Sequence, residues 1–384
     1  MKFLIHNNLP KLPELLADCG EVRIFSGRVP PQNELRNTDV LLIRSVTQVT
    51  SELLDHAPQL RFLGTGTIGT DHVDTAACEA RGVEFCSTPG ANAISVGEYV
   101  LAATLTLANR KQRCLQGLNA LVVGAGHTGS QAGAKLAALG MRVRFIDPNP
   151  TLPRDNKEFC DWSALAEADV ISFHVPLLKT GANPTFHLLN ADRLKLLKSD
   201  AILINASRGA VINNSALFEL LARHDKNIHV VLDVWEGEPQ VMTELVPHVE
   251  IATPHIAGHS IEGKLRASYM LYEKVLGKFP ALQQTKQWCD IALPPLPKEV
   301  PWQTLDSGLE MQKQVLQSIS RVYNIEQDDQ SFRAQGLTRE GFDALRQNYS
   351  IRRELSALKI KCRASNANAL QAIGFGVELT SEPA

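Results

Sequence analysis

No stretch of this sequence stays apolar for the length of a membrane span, no two cysteines form a C-x-x-C pair, and neither sign of charge is in excess. A spanning helix needs about 20 consecutive apolar residues, so nothing here points to a membrane. The apolar start of MKFLIHNNLPKLPE stops too soon for a signal-peptide core and reads as a first strand. The seven cysteines, at 19, 78, 86, 114, 160, 289 and 362, are scattered and odd in number. That pattern argues against a disulfide framework and a zinc site, and fits the reducing cytoplasm. A formal net charge of −2 offers no electrostatic basis for binding nucleic acid or an anionic membrane surface. Internal repeats and low-complexity tracts are missing as well. What is present is a composition 44% hydrophobic and 21% charged over 384 residues, enough for two or three domains. The expected partners are small molecules or other protein chains.

Up to residue 90, short apolar segments alternate with helical patterns. KFLIH (2–6), EVRIFS (21–26), DVLLIRS (39–45), LRFLGT (60–65) and VEFCS (83–87) predict strands. LPELLADCG, stopped by Gly20, and TSELLDHAP predict helices between them. Such alternation makes a parallel sheet covered by helices. The segment 92–112, NAISVGEYVLAATLTLANRKQ, is too long for a strand and almost without charge in its middle, which predicts a buried connecting helix. The alternation then restarts with ALVVG (120–124), RVRFID (142–147), ADVISFHVP (168–176), DAILINAS (200–207), IHVVLDVW (228–235) and EIATPHI (250–256). Six strands with crossover helices form the doubly wound, Rossmann-type plan, so the fold class is α/β. A helix from residue 263 has a place on either domain. IALPPLPKEVPW (291–302) reads as an extended linker, and the segments beyond it predict a small α+β C-terminal domain, 291–384.

Gly124, Gly126 and Gly129 spell G-x-G-x-x-G between a strand and a helix. In that context backbone N–H groups and the helix dipole hold a pyrophosphate, and the glycines admit the tight turn and the close approach. Asp147 ends the next strand, 23 positions after Gly124. A carboxylate there accepts from both ribose hydroxyls and repels a 2′-phosphate, which selects NAD over NADP. The bland alternative is that Asp147–Pro148 is only a turn.

Three further residues follow later strands, at the edge where such sheets bind ligands: Arg208 in NASRGA, Glu238 in LDVWEGEP and His255 in TPHIAGHS. A guanidinium holds a carboxylate in two-point fashion. An imidazole exchanges a hydroxyl proton near neutral pH, and a carboxylate behind it fixes its tautomer. Together they suit hydride transfer at a 2-hydroxy acid. Singly, Arg208 fits a surface ion pair, Glu238 a turn cap in competition with Glu236, and His255 an ordinary packing role.

The segments GAGHTG, NASRGAVI, VLDVWEGEP and TPHIAG resemble the D-isomer-specific 2-hydroxyacid dehydrogenases across roughly residues 1–280. The resemblance implies a flavodoxin-like substrate domain of residues 1–92 and 260–290, with an NAD-binding Rossmann domain, 93–259, inserted through two crossing helices. It implies Arg208, Glu238 and His255 as catalytic residues. For the cofactor it implies Gly124, Gly126, His127, Thr128, Gly129, Asp147, Val175, Asp233 and Gly258. For substrate it implies Ser45, Thr67 and His259, and it implies homodimerisation through the C-terminal domain, which carries LRQNYSIRRE (345–354). His259 stands where the family usually has Tyr, Asn213 where Asp is common, and Val175 where Thr is frequent. Val175 has no side-chain hydrogen bond to give, so it would meet a cofactor by packing or backbone. A phosphorylated hydroxy acid needs a cationic partner, and Arg44 is the first candidate. Arg346, Arg352 and Arg353 are further ones, against the alternative that this basic run is a solvated helix face. A dehydrogenase of the family acting on another 2-hydroxy acid, and an NAD-sensing corepressor-like scaffold, are the competing readings.

Overall fold

A computed structural model of the chain describes residues 1–148, 156–287, 300–302 and 308–380. Residues 291–299 of the expected linker lie outside the described ones. The chain forms two compact units. One comprises Met1–Asn92 with the described part of Ile261–Pro295, the other Ala93–Ser260 with the described part of Leu296–Ala384.

In the first unit, β1 (Lys2–His6), β2 (Glu21–Phe25), β3 (Val40–Ile43), β4 (Phe62–Thr65) and β5 (Glu84–Cys86) form a parallel sheet in the order β2-β1-β3-β4-β5. That is the flavodoxin-like strand order. The runs of the inner strands β1, β3 and β4 are buried on both faces, as strands within parallel sheets are, while the edge strands β2 and β5 are more exposed. Side chains alternate across the sheet, so Phe3 and Ile5 enter one core with Leu42 and Phe62, while Leu4, Leu41 and Ile43 enter the other. The first core is closed by Leu271, Tyr272 and Val275 of the helix Ile261–Lys278. The helix thus packs within the first unit.

In the second unit, β6 (Asn119–Val123), β7 (Arg142–Ile146), β8 (Val170–Phe173), β9 (Ile202–Asn205), β10 (His229–Leu232) and β11 (Ile251–Ala252) form a parallel sheet. Its order is β11-β10-β9-β8-β6-β7, and a parallel bridge from Phe145 to Phe159 extends the β7 edge. Strand order reverses between β6 and β8, the switch point at which doubly wound sheets bind dinucleotides. The helix Ala93–Arg110 is buried along almost its whole length, which explains how little charge it carries.

The C-terminal segment carries a three-stranded parallel sheet in the order β12 (Val300–Pro301), β13 (Lys359–Cys362), β14 (Gly376–Leu379). The sequence sets this segment apart as its own domain, yet it shares one compact unit with the six-stranded sheet. The helix Ile325–Gln335, too polar to stand out in the sequence, supplies part of the reason. Asp329 accepts the Ala252 N–H of the edge strand β11 at 2.7 Å and pairs with Arg333. Arg333 in turn donates to the carbonyls of Val246 and Val249. Phe332 stacks on Trp235 with ring centroids 5.2 Å apart and meets Phe342 edge-on at 6.1 Å. All three rings are buried in one cluster with the strands of the six-stranded sheet. Phe332→Ala should therefore destabilise the unit by about 3–5 kcal/mol, measured by equilibrium denaturation. A loss below about 1 kcal/mol would contradict a shared core.

Candidate active site

The glycine-rich turn is shaped by what would collide with a side chain. Gly124 sits at φ +101°, and a Cβ there would lie 2.5 Å from the His174 carbonyl oxygen. At Gly129 a Cβ would overlap the Gly124 carbonyl oxygen, so only glycine lets the helix His127–Ala138 start this close to β6. Gly126, the N-cap, faces open space. His127 and Thr128 form the first turn of that helix, whose N–H groups have no intrahelical acceptor. Asp147 accepts the Ala125 N–H at 2.8 Å, which ties its carboxylate to the edge of the turn. An open helix N-terminus, a side-chain-free approach and a fixed carboxylate fit a dinucleotide. Val175 is buried and packs beside Gly124.

Arg208, Glu238 and His255 come from the segments that follow β9, β10 and β11, three neighbouring strands. Gly209 brings two of these segments together, because a Cβ on it would overlap the Trp235 carbonyl group. Asn205 shapes the NASRG turn, accepting from the Ser207 amide and hydroxyl and donating to the Arg208 carbonyl at 3.0 Å. The Arg208 guanidinium donates to the Ser207 carbonyl at 2.8 Å.

His255 is hydrogen-bonded through Nδ1 to Glu238 Oε1. The other Glu238 oxygen accepts the Trp235 N–H at 3.1 Å. Burial alone would raise the Glu238 pKa. The charge and hydrogen bond of His255, the charge of Arg346 and the Trp235 amide outweigh it and hold the carboxyl below its usual range. With Nδ1 engaged, Nε2 is the imidazole nitrogen left for proton exchange. Glu236, the competitor in the sequence, is occupied elsewhere: it pairs with His187 at 2.6 Å and accepts the Asn214 N–H. Asn213 caps the helix Asn214–Ala222 through its side-chain oxygen.

Asp233 is 1% exposed, and both its oxygens serve the loop that bears the histidine. Oδ1 accepts from Thr253 Oγ1 at 2.7 Å and Ile256 N at 2.8 Å, and Oδ2 from Ala257 N at 3.0 Å. The Asp233 carbonyl takes the His255 N–H at 2.6 Å. These bonds hold His255 at φ +57°, a left-handed conformation that costs a non-glycine residue about 1–2 kcal/mol. His259 donates its amide to the Ile256 carbonyl, and its ring meets Tyr349 edge-on at 5.8 Å. Gly258 lies between the two histidines, half-buried.

Arg44, Ser45 and Thr67 belong to the first unit, where they follow β3 and β4. Arg44 donates to the Gly66 carbonyl at 2.7 Å, and Thr67 bonds Thr65 and the Gly69 carbonyl. Lys264, on the helix Ile261–Lys278, lies within reach of the charge of Arg44. Burial, with the charge of Arg44, brings its pKa down to about 8. The reading of 345–354 as a solvated basic face fails for Arg352 and Arg353, which are 3% and 7% exposed. Nor is Arg352 open to a phosphate. Its guanidinium donates to the Ala257 and Ser95 carbonyls and lies 3.7 Å from the centre of the Tyr323 ring.

Among the described residues, no helix is long and apolar enough to cross a membrane. Residues 96–257 match the NAD binding domain of the D-isomer specific 2-hydroxyacid dehydrogenases, and residues 296–374 match a domain of unknown function, DUF3410. The chain is 44% identical to an erythronate-4-phosphate dehydrogenase of Idiomarina loihiensis, covering 100% of each. It is also 44% identical to that of Shewanella amazonensis, over 98% of this chain and 99% of the relative. The solved D-lactate dehydrogenase of Aquifex aeolicus, complexed with NAD and lactic acid, is similar with a TM-score of 0.62 and 26% identity. That match covers 73% of this chain and 96% of the other.

Because the Glu238 pKa is depressed on folding, its stabilisation is complete above the ordinary carboxyl pKa and is lost as pH falls through the lower folded value. Glu238→Gln should be less stable than wild type at pH 6, and the gap should narrow steadily toward pH 3. Denaturation series at stepped pH measure it, and a gap that does not depend on pH would refute the ionised pair.

Proposed function

Because the chain belongs to the D-isomer-specific 2-hydroxyacid dehydrogenase family, we propose that it oxidises 4-phospho-D-erythronate at C2 to 2-oxo-3-hydroxy-4-phosphobutanoate, a step in making pyridoxal phosphate. The names of the full-length relatives support the substrate. The hydrogen bond between His255 and Glu238 carries the mechanism. Bound NAD supplies the acceptor for the C2 hydride. Arg208 binds the C1 carboxylate and polarises the C2 oxygen. His255 Nε2 takes the C2 hydroxyl proton, while Glu238 keeps Nδ1 protonated and stabilises the imidazolium that results. Gly124, Gly126, Gly129 and the first turn at His127 and Thr128 hold the pyrophosphate, and Asp147 takes the ribose hydroxyls. Val175, Asp233 and Gly258 would hold the nicotinamide end of the cofactor. Ser45, Thr67 and His259 contact the substrate, and Arg44, with Lys264 beside it, takes the phosphate.

The protein acts as a cytoplasmic homodimer in this reading. Scattered thiols support the compartment. The dimer contact is assigned to the C-terminal segment by the family resemblance.

His255→Ala should lower kcat by roughly 10²–10⁴-fold, followed as NADH formation with 4-phospho-D-erythronate. Near-normal turnover would remove His255 from the mechanism. Arg44→Ala should raise KM for the phosphorylated acid far more than for D-erythronate, and an unchanged preference would take Arg44 out of the phosphate site.

A further inference from the structure

The loop 253–257 is gripped from two sides. Asp233 takes its amides, as described above. On the other side the carbonyl of Ala257, its last residue, is taken by Arg352 at 3.0 Å. The same guanidinium reaches the Ser95 carbonyl at 2.7 Å, in the first turn of the buried helix Ala93–Arg110. One planar fork thus ties the loop to a rigid helix. Tyr323 covers its face. Two residues further on, Glu354, 1% exposed, accepts the Ser260 hydroxyl at 2.9 Å. A parallel bridge pairs Ser260 with Arg352. The 352–354 segment is therefore laid along the end of the loop like a short added strand.

His255 sits in a left-handed conformation. A non-glycine residue persists there only where its surroundings over-determine it. Asp233 alone holds the amides, and amides alone leave the peptide plane at Ala257 free to swing. Arg352 closes that freedom. A desolvated arginine is an expensive way to hold a chain by its carbonyls, and an ordinary apolar contact would serve if only stability were needed.

We propose that Arg352, from the C-terminal segment of unknown function, is a positioning residue for the reaction: by holding the Ala257 carbonyl it fixes the His255 loop, so the C-terminal segment completes the active site of its own chain. The proposal rests on the reading of His255 as acid/base.

Arg352→Lys keeps the charge and the stem but loses the planar two-point fork. With 4-phospho-D-erythronate and NAD, it should lower kcat at least about tenfold while KM for NAD stays within about twofold, since the glycine-rich turn is untouched. A purely structural role would lower the melting temperature and leave kcat per NAD-binding site unchanged. His255→Ala is measured alongside. An inactive His255→Ala with a fully active Arg352→Lys overturns the positioning role and spares the acid/base reading. An active His255→Ala overturns both. Should Arg352→Lys not fold, Arg352→Gln keeps a shorter donor toward the Ala257 carbonyl but loses the fork and reads the same split. A several-fold lower kcat at constant KM for NAD supports the proposal, and wild-type kcat overturns it.

Discussion

The buried carboxylate of Asp233 is the point from which the catalytic end of this protein is organised. A desolvated carboxylate has to be met by donors, and here the donors are Thr253, Ile256 and Ala257. The charge at the end of β10 thereby dictates the path of the chain leaving β11, and with it where His255 stands. Thr253 passes the network on to Tyr99 on the long buried helix, whose hydroxyl lies 2.8 Å away. The histidine, its loop and that helix are thus parts of one hydrogen-bonded body.

The second constraint is steric. Gly124, Gly129 and Gly209 each mark a place where two backbones come closer than any Cβ permits. The first two bring a helix N-terminus up to the strand edge, and the third brings the arginine-bearing turn against the segment that carries Glu238. Parallel strands deliver their C-terminal ends to one edge of the sheet. These glycines then bring the loops beyond that edge together. The chemistry follows from the meeting: a carboxylate held ionised by its neighbours, an imidazole with one nitrogen already committed, and a guanidinium on the adjoining loop.

Much of this was legible from residues in order. Hydrophobic runs of four or five residues located the inner strands of both large sheets, because strands buried on both faces leave little room for polar positions. The spacing from Gly124 to Asp147 was enough to mark the dinucleotide turn, since the motif is local to one βαβ unit. The helix Ile325–Gln335 was not legible. Its buried face is little more than Ile325, Asp329 and Phe332, and Asp329 is buried because it meets a backbone N–H on β11. No periodicity reports such a partner. Glu236 and Glu238, two residues apart, were equivalent in sequence. His187, more than forty positions away, claims the first and leaves the second to His255.

The amino-acid sequence by itself determined the α/β class and the glycine-rich turn, and it singled out the arginine and the histidine as candidates, because each depends on short-range pattern or on residue chemistry. The tertiary structure alone decided which carboxylate orients the histidine and what holds the loop in its left-handed conformation. It alone showed that the C-terminal segment packs into the same unit as the nucleotide-binding sheet. Those outcomes depend on contacts between residues such as Ala257 and Arg352, 95 positions apart. Burial and hydrogen bonding at that separation are properties of the folded chain, and no local pattern encodes them.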